Sequence, residues 1–230
     1  MFLFYTSENV GQILILKGDE HQHCCKVLRK QIGDQIFVTD GKGNIYTTTI
    51  MTITKAETTC KIVSTETKTP PSSHLTIAIS PTKTAARIEW FVEKAVEIGI
   101  SGIIIFHAQR TEKKSWSQTR LDKIMISAMK QSLNVYLPEL RFCSSLADVI
   151  KTTEHIHQKY IAHCDGPTAL MKDIAESGGS TIVLIGPEGD FTSLEISMAH
   201  DHKYTSVSLG ESRLRTETAG IVALLMMKLL

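Results

Sequence analysis

Two short segments in the C-terminal third concentrate the residues able to do chemistry. They are Ile185-Gly-Pro-Glu-Gly-Asp-Phe191 and Leu209-Gly-Glu-Ser-Arg-Leu-Arg-Thr-Glu-Thr-Ala-Gly220. Each follows a β-branched run, Thr181–Ile185 or Thr205–Leu209, and each leads into a helical pattern. Glycine-bearing turns at the ends of neighbouring strands are where an α/β sheet holds a ligand. The first turn offers Glu188 and no lysine, which suits a cationic or polar ligand better than a polyphosphate. It also lacks the third glycine of a dinucleotide fingerprint and the Gly-Lys-Ser/Thr of a phosphate loop. The second turn sets Arg213, Arg215, Glu217 and Thr218 beside an apolar helix. Polar groups at that density next to a buried segment need partners, because uncompensated buried charge is costly. An ordinary strand-to-helix turn and a helix start with an internal Arg–Glu pair are the plainer readings of the two loops.

Other candidates are more dispersed. Arg110-Thr-Glu-Lys-Lys114 followed by Trp116 combines positive charge with an aromatic able to stack on a base, or is an exposed loop with a packing tryptophan. His21 and His23 stand beside Cys24 and Cys25, but no second ligand cluster has matching spacing, so no metal site is expected. His155, His157, His200 and His202 read as surface residues.

The elements that must position these groups fall into two regions. In residues 1–69, Ile13–Leu16, Gln35–Thr39, Ile45–Ile53 and Thr59–Ser64 carry β-branched or alternating residues, and Asp40-Gly-Lys-Gly-Asn44 is a strong hairpin signal. His21–Lys30 reads as one short helix. Thr67-Lys-Thr-Pro-Pro-Ser-Ser73 has a linker's composition, placing a boundary near residues 68–74. Beyond it, strand candidates Leu75–Ser80, Gly102–Phe106, Lys159–His163, Thr181–Ile185 and Thr205–Leu209 alternate with helices. Ile88, Phe91, Val92, Ala95 and Val96 recur at helical spacing before Gly99, and Leu121, Ile124, Met125, Ala128 and Met129 do so within 117–133. Thr192-Ser-Leu-Glu195 matches a capping box. Thr216–Leu230 is apolar nearly all round and should be buried against the sheet or a partner subunit. Such alternation implies an α/β fold with a mostly parallel sheet covered by helices.

Net charge is only +1, which taken alone argues against a nucleic-acid partner. Its distribution argues the other way. Residues 70–130 hold nine Lys/Arg against five Asp/Glu, and residues 131–230 hold eight against twelve, so one face could be basic. Five scattered cysteines without a C-x-x-C pair read as reduced thiols of a cytoplasmic protein. No apolar run reaches the roughly 20 residues of a membrane helix, and no secretory signal is evident.

The paired motifs Leu184-Ile-Gly-Pro-Glu-Gly189 and Leu209-Gly210…Leu214-Arg-Thr-Glu-Thr-Ala219 resemble those of the RsmE-type ribosomal RNA methyltransferases of the SPOUT superfamily. Further matches are Lys26-Val-Leu-Arg29, Gly33-Asp34, Asp40-Gly41, Glu93-Lys94-Ala95 with Glu97-Ile98-Gly99, Arg110, and Gln131-Ser132 before Pro138. Departures are Asp190 for a common glycine, Glu211-Ser212 for a frequent Pro-Arg, and Asn134 where a basic residue is often found. The resemblance implies a PUA-like β-barrel for RNA binding over residues 1–69 and a SPOUT domain with a deep trefoil knot over 74–230. The knot loops would hold S-adenosylmethionine. His163, Ile185, Gly186, Pro187, Glu188 and Gly189 would approach it from one side. Leu209, Gly210, Leu214, Arg215 and Thr218 would approach from the other. Glu188 would sit near the sulfonium or cap its own helix. The implied reaction is methyl transfer to N3 of one uridine in 16S ribosomal RNA of the small subunit; the alternatives are methylation of another RNA base or a ribose 2′-hydroxyl, or a non-catalytic RNA-binding or assembly role on the same fold. Arg215 would stabilise the developing negative charge on the base, and Glu217 would orient it or act as base. Lys26, Arg29, Lys30, Arg87, Arg110, Lys113, Lys114 and Gln131 would contact RNA. A homodimer is implied too, with which the apolar final helix and a Phe91/Val92 face are compatible.

Overall fold

The computed structural model describes residues 2–112, 116–166 and 168–230, which form two compact units. The first comprises Met1–Pro70 and Ile126–Leu137, the second Pro71–Met125 and Pro138–Leu230.

In the first unit, strands β1 (Leu3–Tyr5), β2 (Asn9–Val10), β3 (Ile13–Lys17), β4 (Gln35–Thr39), β5 (Asn44–Ile53) and β6 (Glu57–Thr67) form one sheet of order β1-β4-β5-β6-β3-β2. Thr6 curls it toward closure. Its amide donates to Thr39 O at the end of β4, and its hydroxyl donates to Ile15 O on β3, at 2.6 Å. The inward alternation of Leu14, Leu16, Ile36, Val38, Ile50 and Cys60 fills the interior. Burial pushes the Cys60 thiol up to about 11 and that of Cys24 up to about 12, so both stay protonated and pack as small apolar groups. The β4–β5 hairpin closes on Asp40, whose carboxylate accepts from Asn44 Nδ2, the Lys42 amide and Tyr46 Oη. Those bonds hold it below its ordinary carboxylate range despite partial burial. Gly41 and Gly43 both take positive φ there. The segment 126–137 joins this unit because Gly43 N donates to Val135 O and Leu137 N to Gly41 O, contacts of high sequence separation that local pattern does not reveal.

Residues 21–30 do not form one helix. A short α1 (Gly18–Gln22) passes into a π-helical turn, His23–Val27, and the chain leaves it with Arg29 at φ +52°. His21 Nδ1 lies 2.8 Å from Thr58 Oγ1 on β6.

The second unit carries β7 (Ser73–Ile79), α2 (Ala85–Ile98), β8 (Gly102–Phe106), α3 (Gln118–Gln131, whose last turns belong to the first unit), β9 (Glu139–Cys143), α4 (Leu146–Thr152), β10 (Gln158–Ala162), β11 (Ala169–Leu170), α5 (Met171–Ile174), β12 (Gly179–Ile185), α6 (Ser193–Asp201), β13 (Thr205–Ser208) and α7 (Thr216–Lys228). All seven strands are parallel, in the order β11-β13-β10-β12-β7-β8-β9. A parallel sheet covered on both faces needs strands apolar on both sides, and Thr181–Ile185 and Gly102–Phe106 are buried throughout. One face packs on α4 and α6 through Ile104, Phe106, Ile161, Leu184 and Ile196. On the other, α7 lies against α2, β7 and β12.

One reading of that second face needs correction: Phe91 and Val92 are fully buried inside the chain, so they offer no face to a partner. The final helix packs against the sheet, as its apolar sequence leads one to expect, with Gly220, Ala223, Leu224 and Met227 facing inward and Leu225 exposed. Gly220 sets the close approach, since a β-carbon there would lie 2.6 Å from Phe91 Cε2 and 3.4 Å from Ile79 Cδ1. Gly220→Ala gains about 1 kcal/mol of helix propensity but overpacks a closed interface, which costs about 1–3 kcal/mol. A net loss of stability is expected in urea denaturation; a variant more stable than wild type would contradict this packing.

Candidate active site

Because every strand of the second sheet points the same way, the loops that follow β10, β12 and β13 emerge along one edge. Strands β12 and β13 are not adjacent, as their sequence suggests, but flank β10. At a strand spacing of about 4.8 Å, two loops rising either side of a central strand leave a gap about one strand wide over its end. That gap is a cavity of about 610 Å³. Ala162 and His163 are at its floor, Ile185–Glu188 and Asp190 on one wall, and Ser208–Thr216 on the other. It lies at the switch point where successive strands diverge to opposite sides of β10.

Of the residues expected at the cofactor, His163, Ile185, Gly186, Pro187, Glu188, Leu209, Gly210, Leu214 and Arg215 line this cavity, whereas Gly189 and Thr218 do not. Gly189 instead faces outward against Arg110, whose Cβ would lie 3.3 Å from any β-carbon there. Glu217 is also outside the lining. It is buried, with Oε1 3.6 Å from Arg87 Nε and Oε2 without a hydrogen-bond partner among the described residues. The two walls are latched directly: the Thr216 hydroxyl donates to Gly186 O at 3.1 Å.

The first loop is held from outside by groups that sequence assigned elsewhere. Arg110 Nη1 donates to Gly189 O at 2.7 Å. Glu188 accepts from the Lys83 amide and lies 3.8 Å from Arg87 Nη1. It therefore does not cap α6, whose capping box is formed by Thr192 and Glu195 as the sequence suggests. Glu195 Oε1 also accepts from Gln109 N, tying this helix start to the β8 end of the sheet. Arg87 thus faces two carboxylates rather than standing free for phosphate, while exposed Arg110 lends one nitrogen to the loop backbone. Of the remaining RNA-contact candidates, Lys26, Arg29 and the neutral Gln131 are exposed and Lys30 half-buried in the first unit, while Lys113 and Lys114 lie outside the described residues.

Asp190 was missed as a wall residue, although its place at a usual glycine was a signal. It adopts φ +61°, a region that favours glycine, and Asp or Asn among other residues. Its carboxylate compensates by accepting from Cys164 N at 2.9 Å and Phe191 N at 2.8 Å, joining the first loop to the cavity floor.

A family model described as an RNA methyltransferase domain matches residues 68–228, and one described as an RNA methyltransferase PUA domain matches residues 16–63. The ribosomal RNA small subunit methyltransferase E of Aquifex aeolicus (strain VF5) is 30% identical, over 98% of this chain and 99% of its own. The chain belongs to the RsmE family. The fold agrees. A probable rRNA-methyltransferase from Porphyromonas gingivalis matches with TM-score 0.90 at 38% identity, covering 98% of this chain and 96% of that one. A family member from Neisseria gonorrhoeae, whose crystal structure is bound to S-adenosyl methionine, matches with TM-score 0.86 at 26% identity, over 100% and 97% of the two chains.

In this RsmE chain, His163 has a defined hydrogen-bond setting. Its Nδ1 accepts from Asp165 N at 3.2 Å, so the neutral ring carries its proton on Nε2 and donates to Ser206 Oγ at 2.7 Å. Ser206 Oγ is likewise 2.7 Å from His200 Nε2. Burial pushes His163 below its ordinary value of 6.5, with Asp190 and Asp165 opposing. A histidine that binds its proton more weakly when folded removes stability once the unfolded chain begins to protonate, that is, as pH falls below 6.5. His163→Gln should therefore lose less stability than wild type between about pH 7.5 and about pH 5.5 in urea denaturation; parallel curves would show that the ring is not desolvated.

At Asp190 an order of costs follows. Asp190→Val combines a β-branched side chain in the left-handed region with two lost acceptors and should cost about 2 kcal/mol. Asp190→Gly loses only the acceptors and should cost under about 1 kcal/mol. Chemical denaturation of both variants checks the order, and a reversed order would refute the backbone argument.

Proposed function

We propose that this chain transfers a methyl group from S-adenosylmethionine to N3 of one uridine in 16S ribosomal RNA of the small subunit. The observation that carries this reading is the cavity between the two loops. Its volume falls in the range of small-molecule sites, about 300–1,000 Å³. Apolar Ile185, Leu209 and Leu214 can enclose an adenine, and its backbone-rich walls can bond a nucleoside without a phosphate cradle. Among the charged lining residues, Glu188, Asp190 and Glu211 oppose Arg213 and Arg215, an excess of negative charge that suits a ligand bearing a sulfonium besides its amino-acid zwitterion.

When bound, the cofactor supplies an electrophilic methyl. The chain must present a uridine whose N3 is neither base-paired nor protonated at the moment of transfer, so the base has to be splayed out of any helix. The N3–methyl bond forms as the sulfur–methyl bond breaks, its electrons stay on sulfur, and the N3 proton passes to water. Negative charge develops on the uracil oxygens. Arg215, exposed at the N-cap of α7 and lining the cavity, is placed to stabilise it. Holding the two reactants in line supplies several kcal/mol more.

The curled first unit, matched by a PUA domain model, is the RNA-positioning module, with Lys26 and Arg29 exposed for phosphate contact. The protein acts in the cytoplasm. Among the described residues, no helix is long and apolar enough to cross a membrane. We propose further that it acts as a homodimer and that its C-terminal segment is knotted. Exposed Trp90, Leu225 and Leu229 on the packed pair α2 and α7 support the first. The return of α7 across β12 to β7, after β13 has paired on the far side of β10, supports the second.

Mass spectrometry of 16S RNA from a deletion strain, complemented with wild type or Arg215→Ala, tests the reaction. The variant should bind S-adenosylmethionine within about threefold of wild type and turn over about 10²–10³ times more slowly. Full turnover of the variant would remove Arg215 from the chemistry, and a methyl missing from a ribose or another base would overturn the assigned substrate.

A further inference from the structure

Resting on the cofactor reading above, we infer that Arg87 is the positioning residue that keeps the two loops in register, although it does not line the cavity. Just beyond the Thr216–Gly186 latch, each loop presents a carboxylate to the start of α2: Glu188 from the first and Glu217 from the second. Arg87 stands between them, Nη1 3.8 Å from Glu188 Oε1 and Nε 3.6 Å from Glu217 Oε1. Both are ion-pair rather than hydrogen-bond distances, so one guanidinium serves two carboxylates at once.

The two carboxylates are in different circumstances. The Glu188 side chain is 39% exposed and has the Lys83 amide as a second partner. That of Glu217 is only 10% exposed, and Oε2 has no hydrogen-bond partner among the described residues. Its position in the first turn of α7 gives some dipole support. Arg87 is nevertheless its ion-pair partner, and a buried carboxylate deprived of its cation must take up a proton or move to water. Movement of Glu217 carries with it Thr216, which latches the loops, and Arg215, which lines the cavity. Movement of Glu188 carries Pro187, also in the lining. Arg87 therefore acts on both walls, directly through Glu188 in the first and through Glu217 beside Thr216 at the end of the second.

This differs from an RNA contact. A phosphate approaching Arg87 would meet two carboxylates already opposite it, whereas a cation fixing two loops alters cofactor affinity before any RNA is present.

The test uses the full chain and its variants Arg87→Gln, Arg87→Lys, Glu217→Gln and Glu188→Gln. S-adenosylmethionine binding is read by calorimetry and loop order by amide hydrogen exchange. Arg87→Gln should weaken binding by about tenfold and speed exchange at 186–190 and 215–218 while the rest of the sheet is unchanged. Arg87→Lys should recover part of the affinity, because charge is restored without the planar fork. In the Glu217→Gln background, Arg87→Gln should add less than about twofold, since coupled residues are not additive. Glu188→Gln, at the more exposed carboxylate, should loosen only the first loop and serves as readout if Arg87→Gln does not fold. Wild-type affinity and wild-type exchange in both loops of Arg87→Gln would overturn the inference; if RNA affinity alone fell, Arg87 would be a phosphate contact. Failure of the wild-type chain to bind S-adenosylmethionine would sink the proposed function, while loop exchange would still report on the Arg87 link.

Discussion

The cavity depends on one geometric constraint: two loops that leave strands either side of β10 must stay a fixed distance apart over its end. A parallel sheet supplies the common edge but not the separation, because hydrogen-bonded ladders stop where the strands do. The separation comes from cross-links made after the last ladder bond. The Thr216 hydroxyl reaches the Gly186 carbonyl, Asp190 reaches the amide of Cys164, and the Gly220 contact with Phe91 seats the helix that carries the second wall. A small number of polar atoms beyond the sheet thus convert an open edge into a walled site.

Charge is used in the same economical way. Arg87 and Arg110, which the family resemblance assigns to RNA, and Glu188 and Glu195, read from sequence at the cofactor and in a helix cap, hold loop backbone or face one another around the first turn. Arginine suits this work because its spread donors can meet a carbonyl or two separate carboxylates without losing charge. Arg215 shares their residue type but not their setting, since it lines the cavity itself.

Much of the second unit was legible because its signals are local. Gly102–Phe106 forms β8, the capping box at Thr192 holds, and the stripe Ile88, Phe91, Val92, Ala95, Val96 is the buried face of α2, closed by Gly99 at φ +93°. Features depending on distant partners were not. The short β11 and α5 carry too few residues for a pattern, and β9, as long as β8, is a half-exposed edge strand without an apolar run. The turn at His23–Val27 belongs to a backbone class without a periodic signature. The flanking of β10 by β12 and β13 is a matter of strand order, which no spacing in the sequence encodes. The cavity motifs stood out by composition, yet their contacts with Arg87 and Arg110, far away in the chain, carry no signal in the motifs themselves.

The order in which the walls appear along the chain has a bearing on biosynthesis. The floor and first wall are complete by Asp190, but the second wall comes from residues 208–216, and the helix that seats it runs to Lys228. A ribosome that stalled or terminated early in that stretch would release a chain with most of its sheet and no place for a ligand. Only after residues through Lys228 leave the exit tunnel can the nascent polypeptide acquire a binding function.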